Sequence, residues 1–470
     1  MGKKQLVEWM NEHRSTYEDL ALRIWERPET AYEETFASGL LSSALEQAGF
    51  KLRTSIGGIP TAFVAEYGSG GPVLGILGEY DALPGLSQKV AAVREPVVPD
   101  GPGHGCGHNL LGTAGVEAAI ALKQRAEAEG LAGTIRYYGC PAEEVLSGKT
   151  FMAREGVFDD LDAALTWHPG SQNTPWNTPT SALTSVELHF HGRAAHAGGA
   201  PHLGRSALDA VELTNIGANY LREHVPDGSR IHYTITNGGV APNIVPDAAS
   251  VWYYLRGADR DAADALLGRL LKIAQGAALM TETEVTWDIK GGAYHLNVNH
   301  TLNRLLVRQQ HEAGPLVFTE EDHRLAASLA GSLDPALQEA ASSKARKLGL
   351  AEGELLPASF SDERPGGRTA SGGSTDLGDV SWIAPLGQII TTCAPFCVQV
   401  HTWQATAAFG SPIGLKGMHY AAQLIALAGY ELLSDGGAVL AEARAEFQAS
   451  TGGRNYVPAI PEHVRAPVPV

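Results

Sequence analysis

The 470-residue sequence predicts an α/β protein whose mostly parallel sheet is interrupted by an inserted ferredoxin-like domain. Two patterns lead to this expectation. Short apolar runs alternate with helical spacing of apolar residues over residues 1–170, as they do when helices cover both faces of a sheet. From residue 183 to 295 the order becomes β-α-β-β-α-β, the split βαβ motif. The sequence therefore predicts one large domain, residues 1–182 and 296–470, and one inserted domain, residues 183–295.

Local patterns support each predicted element. Apolar residues at helical spacing predict helices, and apolar or alternating runs predict strands. In the large domain we expect helices at 7–26, 33–48, about 109–128, 149–154 and 416–433, and strands at 61–67, 73–77, 134–138 and 163–166. In the inserted domain we expect strands at 184–191, 230–236, 250–256 and 284–289, and helices at 206–224 and 261–281. A Gly/Ser-rich loop at 365–375 and an extended Pro-rich tail complete the prediction.

Composition excludes several classes of protein. With 44% hydrophobic and 19% charged residues, the chain is that of a globular protein rather than a disordered one. Its net charge of −17 argues against nucleic-acid and anionic-membrane partners, because both need clustered Lys and Arg. Four cysteines are too few for a disulfide framework, and neither a signal peptide nor a membrane span is predicted. We therefore expect a cytoplasmic protein with no membrane partner.

Residues able to bind metal follow several predicted strands. The segment HGCGH (104–108) comes after the first strands, Glu143 and Glu144 follow the third, and His168 follows the fourth. His401 follows a later apolar run. Because ligands gather beyond the carboxyl ends of strands in open α/β sheets, we expect these side chains to lie close together.

Each of these features alone has an ordinary explanation, since paired carboxylates are usually solvated and a histidine after a strand is usually a loop residue. Together, imidazole, carboxylate and thiolate suit borderline and first-row divalent ions. Neighbouring Glu143 and Glu144 can face different ways, so that one binds a metal while the other accepts a proton from a water acidified by the ion. The combination predicts metal-dependent hydrolysis.

Longer segments resemble the metal-dependent aminoacylase and carboxypeptidase family of co-catalytic metallopeptidases. The similarity runs over nearly the whole chain and is carried by LGEYDALPGLSQ (77–88), GHGCGHNLLGTA (103–114), FMAREGVFDDLDAALTWHP (151–169), HLGRSALDAV (202–211), GAALMTET (276–283), GSTDLGDVSW (373–382) and HTWQ (401–404). The resemblance implies a metal-dependent amidohydrolase that cleaves N-acyl or aroyl amino acids such as p-aminobenzoyl-glutamate. It also implies two divalent ions in each copy of the chain, Mn or Zn with Co as an option, and an inserted lid domain through which a homodimer forms.

The same resemblance assigns the residues of the large domain. The implied metal ligands are Cys106, His108, Glu144, His168 and His401. Glu143 is the implied general base, and Asp81 is the implied residue that orients a ligand histidine. In the wider family a metal-binding His stands two residues before this Asp. Glu79 occupies that position here, and Cys106 is expected to compensate.

Three residues of the inserted domain complete the implied site. His196 matches a lid histidine that reaches the scissile carbonyl, often across a dimer interface. Asn243 and Arg256 match a pair that holds the substrate carboxylate, and the bidentate fork of an arginine suits a carboxylate. Without the resemblance, a surface charge at a strand end is the ordinary explanation of Arg256.

The sequence leaves several functions open. The same fold would serve a dipeptidase, an auxin-conjugate hydrolase or an aryl-amine aminohydrolase, and the chain could also be one half of a two-protein hydrolase, a hetero-oligomer. The sequence departs from the nearest branch of the family at two places. These departures put in question the shape of the substrate pocket and the surroundings of the metal site. They are Val145-Leu146 after the glutamate pair and Asn109 after His108.

The remaining cysteines allow one further hypothesis. Cys393 and Cys397 form a C-x₃-C pattern before His401, which permits a second metal or redox site. Their apolar flanks favour buried thiols instead, and Cys140 is expected to be a packing residue at a strand end.

Overall fold

Two separate β-sheets organise the part of the chain that the structure describes, one of seven strands and one of four. The computed structural model describes residues 2–360 and 373–469. Its strands are β1 (Lys51–Thr54), β2 (Phe63–Ser69), β3 (Val73–Glu79), β4 (Gly133–Cys140), β5 (Ala163–Gly170), β6 (Thr174–Pro175), β7 (Ala182–His191), β8 (Arg230–Asn237), β9 (Ala248–Gly257), β10 (Glu284–Ala293) and β11 (Leu386–Thr392). The Gly/Ser-rich loop predicted at 365–375 lies outside the described residues as far as residue 372.

The larger sheet has the strand order β1-β2-β4-β3-β5-β11-β6. Its four central strands, β4, β3, β5 and β11, are parallel to one another. On the two sides, β1 and β2 and then β6 run antiparallel to their neighbours. The predicted α/β class with a parallel core is confirmed, and the structure adds the antiparallel edges. The four central strands therefore end at the same edge of the sheet.

Helices surround the larger sheet, and two more, α5 and α6, pack on the smaller one. The helices are α1 (Gly2–Glu26), α2 (Thr35–Gln47), α3 (His108–Glu129), α4 (Gly148–Arg154), α5 (Ala207–Leu221), α6 (Arg260–Thr281), α7 (His300–Arg308), α8 (Gln310–Ala313), α9 (Glu320–Gly331), α10 (Pro335–Lys347), α11 (Leu377–Ser381), α12 (Trp403–Phe409), α13 (Pro412–Ser434) and α14 (Ala438–Thr451). α3 packs against the larger sheet and against α1 and α13, so it is buried over most of its length. Strand β3 is apolar because it is covered on both faces.

One close approach places the start of α3 beside the end of β3. A Cβ atom at Gly112 would lie 2.6 Å from the carbonyl oxygen of Glu79. A glycine at this position lets the first turns of α3 approach the strand end so closely. As a result, residues at the beginning of α3 and residues just after β3 share one small volume.

Among the described residues, no single helix is long and apolar enough to cross a membrane, whereas α13 and α14 together meet that test by length and composition, with a bend of 101° between them.

The four-stranded sheet is antiparallel and has the order β10-β7-β9-β8. Along the chain its elements follow as β7-α5-β8-β9-α6-β10, the βαββαβ order that the sequence predicts. Helices α5 and α6 pack together and cover one face, where Leu188, Val251 and Leu270 belong to a separate hydrophobic core. Strand β8 forms an edge of this sheet and is exposed along most of its length. This inserted unit is called the lid below.

The lid core gives a stability prediction. Leu270 on α6 is fully buried, whereas Leu279 on the same helix is 82% exposed. Leu270→Ala should lower the free energy of unfolding of the lid by about 2–5 kcal/mol, because it leaves a cavity. Hydrogen exchange measured on lid peptides by mass spectrometry should therefore accelerate. Leu279→Ala should change exchange little, and equal acceleration in both variants would contradict the separate lid core.

Candidate active site

The ends of the central strands bring the predicted polar residues together. β3 ends at Glu79 and is followed closely by Asp81, and β4 ends shortly before Glu143 and Glu144. His168 lies near the end of β5. Because these strands are parallel neighbours, the side chains meet beyond one edge of the sheet.

The first turn of α3 adds two further donors to the same volume. Cys106 lies just before the helix, and His108 is its first residue. Gly107 between them has a φ of 84°, and a Cβ there would lie 2.7 Å from Cγ of Pro169. The glycine therefore permits a turn that lets both neighbouring side chains reach the site. The amide of His401 donates to the Gly105 carbonyl at 2.8 Å, which attaches the distant His401 to this turn.

The five predicted ligands form two groups that share one sulfur. Cys106, His108 and His168 form one group, and Cys106, Glu144 and His401 form the other, with all donor atoms of a group within 4.8 Å of one another. Cys106 Sγ lies 3.5 Å from His168 Nε2, and Glu144 Oε2 lies 3.5 Å from His401 Nε2. This arrangement offers two neighbouring positions for cations, with the sulfur common to both.

Hydrogen bonds orient the ligand atoms toward those positions. Asp81 Oδ1 lies 2.9 Å from His108 Nδ1, and Asp81 Oδ2 accepts from the amide of Glu144 at 2.9 Å. His168 Nδ1 donates to the carbonyl oxygen of Pro169 at 2.7 Å. In both histidines Nε2 is left to face the centre, which is how neighbouring groups set the tautomer of metal-binding imidazoles.

Unpaired polar atoms show that the residues fit a bound cation. His108 Nε2 and Glu144 Oε1 are buried and have no hydrogen-bond partner among the described residues. An unpaired buried polar atom is costly unless an ion or another group satisfies it. Imidazole, carboxylate and thiolate together are the donor set of zinc and similar divalent ions. The donor set and the unpaired atoms both fit a metal centre.

The electrostatics of the cluster support the same conclusion. Burial raises the pKa of Glu144 to about 7. Burial, together with the charges of Glu79 and Asp376, raises the pKa of Glu143 well above its usual range. Burial lowers the pKa of His168 to about 4, which favours the neutral imidazole that binds metal. Divalent cations would reverse the effect on the carboxylates, because they stabilise the ionised forms.

Glu143 and Glu144 point in different directions from one tight turn. Glu143 Oε2 lies 3.8 Å from His108 Nε2, whereas Glu144 faces His401. The amide of Leu146 donates to the Glu143 carbonyl at 2.7 Å, and Leu146 itself has a φ of 56°. The carboxylate of Glu34 accepts from the amide of Ala142 at 2.8 Å and so fixes the start of the turn.

The lid residues His196 and Asn243 lie apart from this centre. Both are exposed on the lid, and the amide of Ala197 donates to the Asn243 carbonyl at 3.0 Å. His196 Nδ1 accepts from the amides of Gly198 and Gly199, which leaves Nε2 available to another group. No hydrogen bond or ion pair within residues 2–360 and 373–469 joins either side chain to the expected metal ligands.

Arg256, in contrast, connects the lid to the large domain. It lies on β9, and its Nη1 donates to Ser374 Oγ at 2.8 Å. Ser374 Oγ in turn donates to the Ser181 carbonyl at 2.8 Å. The guanidinium is therefore placed at the junction of the two domains rather than free at a strand end.

One of the two departures from the expected pattern, Asn109, has a structural explanation, whereas for Val145-Leu146 the structure shows only the burial of each side chain. The amide nitrogen of Asn109 faces the carbonyl oxygens of Ala21 and Phe409 at 3.4 and 3.5 Å. A carboxylate cannot donate to either carbonyl, so asparagine suits this position. Val145 is exposed and Leu146 is buried in the turn after the glutamates.

The other cysteines do not form a second metal site within the described part of the chain. Cys140 and Cys393 are buried, Cys397 is half-buried, and all are free thiols. None of the three belongs to a group of metal-binding side chains among the described residues. The C-x₃-C hypothesis therefore finds no support there.

Three residues at the site, Glu34, Lys149 and Asp376, were not expected from the sequence. Glu34 supports the glutamate turn, and Lys149 is fully buried between Glu79 and Asp376. The feature of the sequence that pointed to Lys149 was its position in the short segment after the glutamate pair. A lysine in such a segment is ordinarily expected to be solvated. Glu34 had no distinguishing signal, since it stands among other acidic residues.

Comparison with known proteins agrees with this geometry. A family model described as a peptidase dimerisation domain matches residues 180–281. The chain is 41% identical over 461 residues to one of the subunits of p-aminobenzoyl-glutamate hydrolase from Escherichia coli (strain K12), covering 96% of each chain. It is 32% identical over 336 residues to a Xaa-Arg dipeptidase of Mus musculus, covering 68% of this chain and 73% of the relative.

A solved structure shares the fold. The Bacillus subtilis YXEP protein, described as a dinuclear metal-binding peptidase from the M20 family, superimposes with a TM-score of 0.55 at 18% identity and covers 90% of this chain and 99% of its own. The resemblance found in the sequence is thereby confirmed. The chain belongs to the M20 peptidase family of metal-binding amidohydrolases and peptidases, and it is a hydrolytic enzyme.

Proposed function

We propose that the enzyme hydrolyses the amide bond of N-acyl or aroyl amino acids, with p-aminobenzoyl-glutamate as the model substrate. The observation that carries the proposal is the buried Glu143 carboxylate beside two groups of metal-binding side chains. The name of the bacterial relative at 41% identity supports the choice of substrate class.

The roles of the residues follow from their positions. Bound divalent ions supply an acidified water and polarise the carbonyl that is attacked. Cys106, His108, Glu144, His168 and His401 would hold these ions. Glu143 accepts a proton from the attacking water and passes it to the leaving nitrogen. Asp81 keeps His108 in the tautomer that presents Nε2 to the centre.

The two ends of the substrate have separate places to bind. Arg256 lies at the domain junction, where it would hold the free carboxylate of the amino acid. Asn243 lies beyond the opposite end of β9, beside His196, so it would join Arg256 only from the lid of a second copy. A cavity of about 680 Å³ opens at His168, and its lining includes the apolar side chains of Trp176, Leu337 and Phe396. A cavity of this volume suits a small aromatic acyl group.

We also propose that the protein works as a homodimer joined through the lid. The lid presents the exposed edge strand β8 and, on α5, the exposed side chain of Tyr220. Exposed edge strands favour pairing with another chain. In a dimer His196 would reach the site of the partner and donate a hydrogen bond to the developing oxyanion. This would explain why His196 lies apart from the metal ligands of its own chain.

The native ions are proposed to be Mn²⁺ or Zn²⁺, with Co²⁺ as a replacement, since thiolate and imidazole suit zinc and carboxylates suit manganese. The four free cysteines support a cytoplasmic location, where thiols stay reduced.

Two alternatives have specific support. The mouse relative is a dipeptidase, which favours a dipeptide substrate on the same site. The bacterial relative is one component of a hydrolase with more than one kind of chain, which favours a hetero-oligomer with a second protein. Auxin-conjugate and aryl-amine hydrolysis remain further options on this fold.

Replacing the general base tests the proposed chemistry. Glu143→Gln should lower kcat by at least about 100-fold, because the amide cannot accept the proton. Elemental analysis should find the same metal content as in the unaltered enzyme. Glu144→Gln is the matched control, because it should lower the metal content as well as the activity. Near-normal turnover of Glu143→Gln would contradict the mechanism.

The clamp on the carboxylate gives a second prediction. Arg256→Ala should raise KM for an aroyl-glutamate by about 10- to 100-fold, since a charged hydrogen bond is lost. For a substrate whose carboxylate is replaced by a primary amide, Arg256→Ala and the unaltered enzyme should have the same KM. Arg269→Ala, an exposed arginine on α6, serves as a control. Equal effects on both substrates would refute the clamp.

Mixing two inactive variants tests the contribution of the partner's lid. Glu143→Gln and His196→Ala should each be nearly inactive. When they are unfolded and refolded together, hybrid dimers contain one intact site, so activity should return to about a quarter of the normal value. If His196 served its own chain, both halves of the hybrid would remain defective and no activity would return.

A further inference from the structure

A buried lysine lies between two carboxylates beside the proposed metal centre. Lys149 Nζ lies 2.6 Å from Glu79 Oε1 and donates to Asp376 Oδ1 at 2.6 Å. The backbone amide of Lys149 also donates to Asp376 Oδ2 at 2.8 Å. All three side chains are almost completely buried. We call this set the Glu79–Lys149–Asp376 triad.

One arm of the triad reaches the metal centre. With Oε1 of Glu79 held at Lys149, the other oxygen, Oε2, lies 3.4 Å from His108 Nε2. Glu79, His108 and Glu143 form a third group whose donor atoms lie within 4.8 Å of one another. The lysine thus decides which carboxylate oxygen of Glu79 faces the unpaired nitrogen of His108.

The other arm reaches the lid. Asp376 stands at the start of α11, two residues after Ser374, whose hydroxyl accepts from Arg256. The carbonyl of Gly373 accepts from the amide of Ser181 at 2.8 Å. Residues 373–376 therefore run from the buried carboxylate of Asp376 to the guanidinium of Arg256.

Stability alone is a weak reason for such a triad. Three charges are removed from water, and a buried ion pair often stabilises a fold no more than apolar side chains of similar volume would. A charge network that joins two parts of a site has a different advantage, because it holds catalytic groups in fixed positions.

We propose that Lys149 is a positioning residue that joins the two halves of the active site. Through Glu79 it fixes a carboxylate oxygen beside His108, and through Asp376 it fixes residues 373–376 beside Arg256. The second part rests on the proposed function, because it takes Arg256 as the residue that binds the substrate carboxylate. The first part concerns metal binding alone and does not depend on the substrate.

The test measures metal binding directly. In Lys149→Met, the affinity for Zn²⁺, measured by competition with a chromogenic chelator, should fall by about tenfold or more. The visible absorption spectrum of the Co²⁺-loaded protein should change as well. The control is Lys416→Met on α13, which breaks a largely buried ion pair with Asp322 of α9 and should alter neither measurement. Unchanged affinity and an unchanged spectrum in folded Lys149→Met would overturn the proposal.

Two milder variants test the metal arm and the lid arm of the triad separately. They also replace Lys149→Met as the test if that variant does not fold. Glu79→Gln keeps the size of the side chain and should lower Zn²⁺ affinity while the KM of an aroyl-glutamate changes little. Ser374→Ala should raise that KM and leave Zn²⁺ affinity unchanged. If Glu79→Gln binds Zn²⁺ normally, the metal arm is wrong. If no carboxylate substrate is hydrolysed at all, the proposed function fails, and the Zn²⁺ and Co²⁺ measurements still decide the role of Lys149.

Discussion

The burial of negative charge at one edge of the large sheet is the constraint on which the rest of the structure depends. The acidic side chains gathered there are Glu79, Asp81, Glu143, Glu144 and Asp376, beside the thiol of Cys106. Such groups are costly to bury in their ionised forms unless cations balance them. Lys149 supplies one positive charge, and two divalent ions would balance most of the remainder. Metal binding is therefore coupled to the stability of this region and not only to its chemistry.

The surrounding fold keeps these groups close despite their mutual repulsion. The carboxyl ends of the parallel strands hold the other acidic residues, Asp376 stands at the start of α11, and α3 approaches β3 closely enough to add His108. His401 adopts a φ of 65°, which is uncommon for a residue with a side chain. Strained backbone of this kind is found where the neighbouring structure holds a functional side chain in place. The hydrogen bond from the His401 amide to the Gly105 carbonyl is the local contact that holds His401 in place.

The site is divided between two sheets, and this division shapes how it works. The proposed metal ligands and Glu143 belong to the large domain, whereas the residues proposed to bind the substrate belong to the lid. Arg256 is joined to the large domain through Ser374, but among the described residues His196 and Asn243 have no bond to the metal ligands of their own chain. A lid that contributes residues to a partner's site would make assembly part of catalysis, because neither chain would then hold a complete site.

Much of this organisation was predictable from the sequence because it depends on local order. The β-α-β-β-α-β pattern, the apolar strand β3 and the metal-binding residues after each strand are all properties of short segments. Residue types after the strands indicated a metal site, and the resemblance to one family then assigned its ligands to Cys106, His108, Glu144, His168 and His401. Only the tertiary structure decided the sharing of Cys106 between two groups, the burial of Lys149 between two carboxylates and the separation of His196 from the metal ligands. The physical reason is that these features depend on contacts between segments far apart in the chain, such as Lys149 with Asp376, and a side chain's charge partners are set by packing rather than by its neighbours in sequence.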